Sequence, residues 1–355
     1  MDQPEHAVAA VTHPDPYPYY AELVAKRPFQ RDDTLGFWVA ASAAAVTAVL
    51  TSELCRVRPV SEAVPKALVG TAAGDVFGRM VRMNDGAYHV RLKPSVSATV
   101  AMLDPGLVAR HADAAAQTLV AELEPGIHPA RIGDFAFRLP PYVVGALLGL
   151  APDGLPAIAA SAGDFVRGLA PGATADEVDR GAGAARALVQ AVRTLPRFWQ
   201  SYEATAALLG NTLLALARHA HVRELLARDA PALRAVVAEV ARHDAPVQNT
   251  RRFVATAGGV AGQAMKEGDT VLVLLAAANR DPAVNDDPAR FEPARRERRT
   301  FTFGFGPHAC PGETLAVTIA AAGVARLLAT GVDPERVAAS YTYRPSANIR
   351  MPRFN

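Results

Sequence analysis

The amino-acid sequence predicts a mainly α-helical protein with a small β region. Alanine-rich segments with apolar residues at helical spacing predict helices over residues 107–123, 176–192, 203–226, 233–242 and 313–329. Runs typical of strands are shorter and fewer, and they cover residues 36–40, 252–255 and 270–275. The chain has no internal repeat, low-complexity tail or long linker. We therefore expect a single domain over residues 1–355.

Local signals support several of these elements in chain order. The proline- and glycine-containing stretch 170–173 is typical of a loop, and it precedes the second predicted helix. A Gly-Asp turn pair comes directly before the strand at 270–275. The last helix, 313–329, follows a Pro-Gly pair and has Glu313 in its first turn, where a carboxylate is favoured.

The composition excludes several classes of protein. Of 355 residues, 50% are hydrophobic and the formal net charge is +2, so a large core is available and no charge excess favours nucleic acid. Two cysteines, Cys55 and Cys310, cannot build a disulfide framework, and no Cys-x-x-Cys pair predicts a zinc site. The N-terminus lacks the pattern of a signal peptide, and no run of about 18 apolar residues predicts a membrane span. We expect a soluble, cytoplasmic protein without a nucleic-acid or membrane partner.

The stretch FGFGPHACPG, residues 303–312, places one of the two cysteines just ahead of the last predicted helix. Backbone N–H groups and the helix dipole stabilise negative charge there, which favours the Cys310 thiolate. Gly304, Gly306 and Gly312 can take positive φ values, and their missing side chains let a large group approach the backbone. A thiolate on a bare loop suits ligation of a flat, bulky cofactor.

Two other interpretations of this loop stay open from the residues alone. A free cysteine in a tight turn can be buried and inert. Alternatively, Cys310 and the nearby His308 can form a nucleophile and its base, if the fold brings their side chains together. With a bound cofactor, His308 would instead meet a carboxylate on it.

FGFGPHACPG resembles the haem-binding loop of cytochrome P450 enzymes, with Phe303, Gly306, His308, Cys310 and Gly312 at the matching positions. The resemblance implies haem b as cofactor and Cys310 as the proximal ligand of its iron. Thiolate ligation pushes electron density onto iron and favours O–O cleavage. It also implies the family fold, with haem between two long helices, and it assigns Phe303, Gly304, His308 and Gly312 to cofactor binding.

Other segments resemble family signatures in the expected order. Glu239 and Arg242 match a Glu-x-x-Arg pair, which shares one helix face. The segment PARF, residues 288–291, is similar to the one whose arginine, here Arg290, completes a structural Glu–Arg–Arg cluster.

The haem carboxylates need cationic partners. By resemblance these are Arg252, from PVQNTRR, and His89 and Lys93, from MNDGAYHVRLK. Lys93 replaces the usual arginine and gives a point charge instead of a bidentate fork.

The oxygen-activating distal helix resembles the segment that begins near Tyr202, and here the chain departs from the family. Glu203 keeps the usual acid, but Ala204 stands where the family usually has threonine. Thr205 is about 100° further round the helix and should point elsewhere. Gln200 and Ser201 can substitute for the missing hydroxyl, and the segment before this helix is shortened relative to usual members.

Family resemblance places substrate contacts in the loop before His89, in the lid and in the distal helix, and Gln248 and Asn249 can bind a polar group of the substrate. The candidates are Val69, Phe77, Phe165, Val166, Gln248 and Asn249. They are mainly apolar, so we expect a substrate with an apolar body.

Three functions remain open from the sequence. The first is a monooxygenase that oxidises a small specialised metabolite, using dioxygen and electrons from a ferredoxin or similar acidic carrier with its reductase. The second is a haem-thiolate enzyme without normal dioxygen activation, such as a peroxygenase, dehydratase or isomerase. The third is a non-catalytic haem protein. The basic cluster ARRERR, residues 294–299, is either a docking patch for the carrier or a solvated loop.

Overall fold

A computed structural model describes residues 3–191 and 202–355 of the chain. Helices account for most of the regular structure in these ranges. They are α1 Tyr17–Lys26, α2 Ala43–Thr51, α3 Ala72–Arg79, α4 Gly86–Ala101, α5 Pro105–Leu123, α6 Ile132–Leu147, α7 Leu155–Leu169, α8 Ala175–Ala191, α9 Tyr202–Arg218, α10 Ala220–Arg228, α11 Leu233–His243, α12 Leu275–Asn279, α13 Glu313–Ala329 and α14 Pro334–Ala338.

The strands are short and form one larger sheet and two hairpins. They are β1 Phe29–Asp32, β2 Phe37–Ala40, β3 Cys55–Arg56, β4 Thr250–Val254, β5 Gly258–Val260, β6 Gln263–Met265, β7 Thr270–Val273, β8 Tyr341–Tyr343 and β9 Pro352–Phe354. The sheet has the order β1-β2-β7-β4-β3, and β2 and β7 are its parallel pair. The predicted fold class, mainly α with a small β region, is confirmed.

Helix α9 lies at the centre of the main hydrophobic core. Every residue from Thr205 to Leu216 is buried, as expected for a helix surrounded by others. Side chains from α5, α6, α11 and α13 join it in one cluster. At Gly323 of α13, an added Cβ would lie 2.6 Å from Leu209 of α9, so only glycine allows this close approach. The core therefore fixes α13, the helix after the cysteine loop, directly against α9.

The helix predicted over residues 203–226 is two helices, and the prediction of one was wrong. The break lies at His219, whose backbone leaves the helical region with φ −122° and ψ 83°. Arg223 stabilises the break, since its side chain donates hydrogen bonds to the carbonyls of Leu216 and Ala217 at 2.5 and 2.9 Å. The sequence predicted one helix because apolar residues keep helical spacing on both sides of the break. This happens because each of the two helices is either amphipathic or buried.

The C-terminal hairpin is held to the N-terminal segment by one buried arginine. The Arg350 Nε donates to Asp244 Oδ1 at 2.9 Å, and Tyr17 Oη donates to the same oxygen at 2.7 Å. The other Arg350 nitrogens donate to the carbonyls of Val11, His13 and Pro14. None of the helices in the described residues is both long and apolar enough to cross a membrane.

Candidate haem-thiolate site

The cysteine loop is a tight turn closed by backbone hydrogen bonds. The Cys310 N–H donates to the Phe303 carbonyl at 2.7 Å, so the chain folds back on itself between these residues. Gly304 and Gly306 have φ values of +75° and +69°, as the sequence predicts. Gly312 has φ −94°, so it does not use the positive φ that glycine allows. Its missing Cβ instead leaves space beside the sulfur, because an added Cβ would lie 3.6 Å from Cys310 Sγ.

Cys310 is exposed and lies at the start of helix α13. The Gly312 N–H donates to its Sγ at 3.3 Å, an arrangement that stabilises negative charge on sulfur. Cys55, by contrast, is buried, and burial raises the pKa of its thiol. The buried, inert cysteine is therefore Cys55, and Cys310 is open to a ligand.

The geometry does not support a Cys–His nucleophile. His308 uses Nε2 for a hydrogen bond to Asp85 Oδ1 at 3.0 Å, and its Nδ1 has no hydrogen-bond partner in the described part of the chain. Because neither ring nitrogen bonds the Cys310 sulfur, the imidazole is not placed to act as its base.

Two histidine rings form a pair with free nitrogens beside the cysteine loop. The rings of His89 and His308 stack with centroids 4.0 Å apart. His89 Nε2 and His308 Nδ1 are both buried without a hydrogen-bond partner among residues 3–191 and 202–355. Burial lowers the pKa of His89, and the positive charges of His308 and Lys93 add to the effect. Buried nitrogens of this kind are rarely left unsatisfied, so the pair is suited to an anionic ligand.

Asp85 orients this pair. Its Oδ2 accepts the N–H of Val57 at 3.0 Å, while Oδ1 bonds His308. Burial alone would raise the pKa of Asp85, but the His308 contact and the Val57 N–H hold it below its ordinary value. Asp85 was not predicted as a site residue, although it lies inside the segment MNDGAYHVRLK.

The two other predicted cations also lie around this part of the molecule. Lys93 donates from Nζ to the Ala309 carbonyl next to Cys310. Burial lowers the pKa of Lys93, and the charge of Cys310 opposes this. Arg252 is buried in β4, and its guanidinium donates to the Arg251 carbonyl at 2.9 Å. Burial lowers the pKa of Arg252, against the influence of Asp85 and Cys55.

These residues fit a haem group. An open sulfur on a loop without bulky side chains suits axial ligation of iron, and the unpartnered imidazole nitrogens with nearby Lys93 and Arg252 suit its two carboxylates. The structure thus stacks His89 on His308, which lies two residues before Cys310 in the chain.

The distal residues lie in the first turn of α9. Burial raises the pKa of Glu203, while the charges of Arg344, Arg82 and Arg167 act in the opposite direction. Ala204 keeps some accessible surface, whereas Thr205 is buried with 7% exposed, so the two positions face different surroundings. Gln200 and Ser201, and the segment predicted to be shortened, lie outside the described residues.

The structural cluster contains a different arginine from the one predicted. Glu239 and Arg242 are fully buried, with Arg242 Nη2 2.6 Å from Glu239 Oε1. Arg298 completes the cluster, because its Nε lies 2.9 Å from Glu239 Oε2. The Arg290 side chain is 65% exposed and reaches only Glu292 at 3.9 Å, so its predicted role was wrong. Arg290 contributes its carbonyl, which accepts from Arg242 at 3.0 Å.

Asn279 connects this cluster to the cysteine loop. Its Oδ1 accepts the N–H of Phe301 at 2.5 Å, and its Nδ2 donates to Thr302 Oγ1 at 2.8 Å. Thr302 in turn donates to the Ala241 carbonyl of α11 at 2.5 Å. The first residues of the loop are therefore fastened to the helix that carries Glu239. Sequence reasoning did not single out these two residues.

The predicted substrate contacts do not share one environment. Phe77 and Val166 are partly buried in a cluster formed by α3, α7 and α8. Val69 is 67% exposed and borders an open pocket of about 410 Å³. The remaining three keep at most 2% of their surface accessible, and they are Phe165, Gln248 and Asn249.

The side-chain amides of Gln248 and Asn249 mainly donate hydrogen bonds to backbone carbonyls of this chain. Gln248 Nε2 donates to the Ala245 carbonyl at 2.6 Å, and Asn249 Nδ2 donates to the Ala347 carbonyl at 2.8 Å. The Asn249 contact joins the entry of β4 to the C-terminal hairpin, whereas the Gln248 contact stays within the segment before β4. Gln248 Oε1 is buried without a hydrogen-bond partner in the described ranges.

The basic segment 294–299 is only partly available to another protein. Arg295 and Arg298 turn toward Glu239, at 3.6 and 2.9 Å. Arg296 and Arg299 are exposed, and Arg299 lies 4.6 Å over the ring of Phe305 in the cysteine loop.

Comparisons with known proteins agree with this geometry. The family described as Cytochrome P450 matches residues 194–330. The chain is 40% identical over 115 residues to 6-deoxyerythronolide B hydroxylase of Saccharopolyspora erythraea, covering 32% of this chain and 28% of that protein. It is 28% identical over 331 residues to Cytochrome P450 BJ-3 of Bradyrhizobium diazoefficiens, covering 78% and 76%.

The fold agrees over nearly the whole length with a solved structure. The structure of CalO2 covers 96% of both chains with 25% identity and a TM-score of 0.78. The chain spans less than a third of the length of several curated relatives that it matches, the hydroxylase among them. Taken together, these matches show that residues 194–330 are similar to the cytochrome P450 family and that the chain has the fold of CalO2 over nearly its whole length.

Proposed function

We propose that this protein is a cytoplasmic haem-thiolate monooxygenase that oxidises a small specialised metabolite with dioxygen and electrons from separate proteins. The observation that carries the proposal is the open Cys310 sulfur beside two unpartnered imidazole nitrogens, those of His89 and His308. Haem, when bound, supplies an iron centre on which dioxygen can be activated. The sequence has no Cys-x-x-Cys-His segment for covalent attachment, which favours haem b.

The proximal residues hold the cofactor and tune its sulfur ligand. Cys310 provides the thiolate, and the Gly312 N–H donates a hydrogen bond that withdraws some of its charge. His89 and His308 offer nitrogen atoms to one carboxylate, while Lys93 and Arg252 supply positive charge nearby.

On the distal side, Glu203 is placed to hold and release a proton. Its raised pKa follows from burial, and it brings the carboxyl closer to the pH at which proton transfer is efficient. Ala204 has no hydroxyl to position a water. We assign that task to Gln200 or Ser201, which precede Glu203 in the chain.

Electrons would come from an acidic ferredoxin or a similar carrier with its reductase. The support is the pair Arg296 and Arg299, which stays exposed on the segment leading into the cysteine loop. Phe77, Val69 and Val166 remain candidates for contact with the apolar part of the substrate.

Ala204 favours a second candidate function. Without a hydroxyl at this position, proton delivery to bound dioxygen has lost its usual donor, and an enzyme that uses peroxide or rearranges its substrate does not need it. Peroxygenase, dehydratase and isomerase activities all fall in this class.

Substrate screening under four conditions separates the candidates. The purified haem protein is incubated with NAD(P)H and a ferredoxin–reductase pair under air, with the same mixture without dioxygen, with peroxide alone, and with no addition. The monooxygenase proposal predicts product in the first condition and none in the second or fourth. Product in the fourth condition contradicts it and supports a dehydratase or isomerase, while product with peroxide alone supports a peroxygenase.

A further inference from the structure

Helix α4 contacts the cysteine loop through two side chains that are one helical turn apart. The ring of His89 stacks on that of His308, with centroids 4.0 Å apart. Lys93, four residues further along the helix, donates from Nζ to the carbonyl of Ala309. Residues at i and i+4 share one face of a helix, so one face of α4 holds the two consecutive residues that precede Cys310.

The peptide unit between Ala309 and Cys310 is bonded at both of its polar atoms. Its carbonyl oxygen accepts from Lys93, and its N–H, which belongs to Cys310, donates to the Phe303 carbonyl at 2.7 Å. The second bond lies within the loop. The first comes from a residue 216 positions earlier in the chain, so it ties the residue before the cysteine to a separate element of the fold.

The Lys93 bond is of a kind that can hold a position. A hydrogen bond from a charged donor is roughly twice as strong as one between neutral groups. Lys93 is half-buried, so water competes less for its ammonium group than it would at the surface. The charge of Cys310 also acts on this ammonium and opposes the effect of burial on the pKa of Lys93. The ammonium is therefore stabilised when the sulfur is a thiolate.

Helix α4 buries little of its own surface. Among its 16 residues, all within the described chain, only His89 is buried. Pro94 lies inside the helix and cannot donate a backbone hydrogen bond, so the helical bonding is interrupted directly after Lys93. The place of α4 beside the loop therefore depends on side-chain contacts such as those of His89 and Lys93.

We propose that Lys93 is a positioning residue for Cys310, and that its bond to the Ala309 carbonyl holds the sulfur in place for the haem iron. The inference rests on the proposed function, because it takes Cys310 as the ligand of haem. It differs from the role that the family resemblance implies for position 93, which is to neutralise a haem carboxylate. For the carboxylates, the two unpartnered imidazole nitrogens and the buried Arg252 remain.

Two rates separate the two roles of Lys93 in the haem-loaded protein. The first is the rate at which the reduced protein with carbon monoxide loses its thiolate Soret band at a fixed elevated temperature, which reports detachment of the sulfur. The second is haem transfer to apomyoglobin, which reports the overall retention of haem.

Both rates are measured for the wild type and three variants. Lys93→Met keeps the alkyl stem but removes the charge and the donors, and Lys93→Arg keeps a charged donor. Arg252→Met is the matched control, because it removes a buried cation that we assign to a haem carboxylate.

Lys93→Met should speed the loss of the thiolate band about tenfold, as expected when a charge-assisted hydrogen bond is removed, and should change haem transfer by no more than about threefold. Arg252→Met should show the opposite pattern. Lys93→Arg should lose the band at a rate within about threefold of the wild type. A general loss of stability would instead speed both processes together.

Three results would overturn the proposal. They are a rise in haem transfer at least as large as the rise in band loss in Lys93→Met, no change in either rate, and a Lys93→Arg variant that behaves like Lys93→Met. If Lys93→Met takes up no haem, the comparison uses Lys93→Gln, which keeps neutral donors and should lie between Lys93→Met and the wild type. Loss of haem uptake in both would assign Lys93 to haem binding and also overturn the proposal.

The spectrum of the reduced wild type with carbon monoxide is recorded first. A wild type without the thiolate band would refute the proposed ligation itself, so that failure is seen separately from a failure of the role assigned to Lys93.

Discussion

Arg298 Nε lies 2.9 Å from Oε2 of the fully buried Glu239, and it holds the segment before the cysteine loop against helix α11. Burial would raise the pKa of Glu239, but Arg242, the Glu292 N–H and Arg298 together lower it. The carboxylate therefore stays charged inside the protein and has three strong partners. This cluster, with Asn279 and Thr302, fixes where the loop begins.

Removing Arg242 should be strongly destabilising. Arg242→Met leaves the buried Glu239 with fewer partners, and we expect a loss of about 3–5 kcal/mol in the free energy of unfolding. Urea unfolding and haem content per chain measure the effect. Arg298→Met should lower both in the same direction but less, because its side chain is 20% exposed.

Arg290→Met is the matched control for this cluster. Its side chain is 65% exposed, so the free energy of unfolding should change by no more than about 0.5 kcal/mol. A loss as large as that of Arg242→Met would return Arg290 to the cluster and show that the assignment of Arg298 is wrong.

The imidazole pair should control haem retention. His89→Leu and His308→Leu each remove a buried nitrogen that we assign to a haem carboxylate, and each should speed haem transfer to apomyoglobin by about tenfold. His89→Asn keeps a polar side chain and should lose less. Unchanged transfer rates in both leucine variants would mean that the unpartnered nitrogens face something other than haem.

His243 should make stability fall in mild acid. Burial and then the charge of Arg280 lower its pKa to about 3, so the folded protein keeps the ring neutral while the unfolded chain takes up a proton near pH 6.5. Because the unfolded state then binds more protons, stability is lost as the pH falls below about 6.5. Between pH 6.5 and 5 the loss should be about 1–2 kcal/mol.

The contribution of His243 is isolated by comparison with His243→Gln. The variant lacks the titrating ring, so the slope of its unfolding free energy against pH should be smaller over the same interval. His219, whose pKa burial also lowers, titrates in both proteins and cancels in the comparison. Equal slopes would contradict the assignment.

Glu203 should matter only when dioxygen is the oxidant. Glu203→Gln removes the proton that the buried carboxyl can deliver, and turnover supported by dioxygen should fall about 100-fold. Turnover with peroxide should change far less, since peroxide already carries the electrons and protons. Equal dioxygen-driven rates in the wild type and Glu203→Gln would remove Glu203 from the mechanism.

Ala204→Thr examines the missing hydroxyl at the adjacent position. If proton delivery limits the reaction, the new hydroxyl should raise the ratio of product formed to NAD(P)H consumed. If substrate fills this space, the added atoms should instead weaken substrate binding. No change in either quantity would show that position 204 does not face the reacting groups.

Local patterns were enough to predict the cysteine loop and the helix after it. FGFGPHACPG is contiguous, and its two glycines with positive φ, Gly304 and Gly306, are part of the pattern itself. The helix Glu313–Ala329 begins and ends as the apolar spacing predicts. His89 and His308 lie far apart in sequence, and only the family resemblance predicted that they share a site.

Features that depend on distant parts of the chain were not predictable from the sequence. Helix α6 contains Pro140 and Pro141, which remove backbone donors, so it persists because its buried face packs in the core. Strand β2 pairs with β7 from the other end of the chain, and neither shows a long periodic pattern. Arg298, and not Arg290, is the partner of Glu239, and this depends on which side chains between residues 290 and 298 point into the protein.

The most direct measurement of the central claim is the absorption spectrum of the reduced protein with carbon monoxide. If Cys310 is the axial thiolate, the wild type and Cys55→Ala should show the red-shifted Soret band of thiolate-ligated haem, because Cys55 is buried away from the ligand. Cys310→Ala should lack that band. Persistence of the band in Cys310→Ala, or its loss in Cys55→Ala alone, would contradict the account.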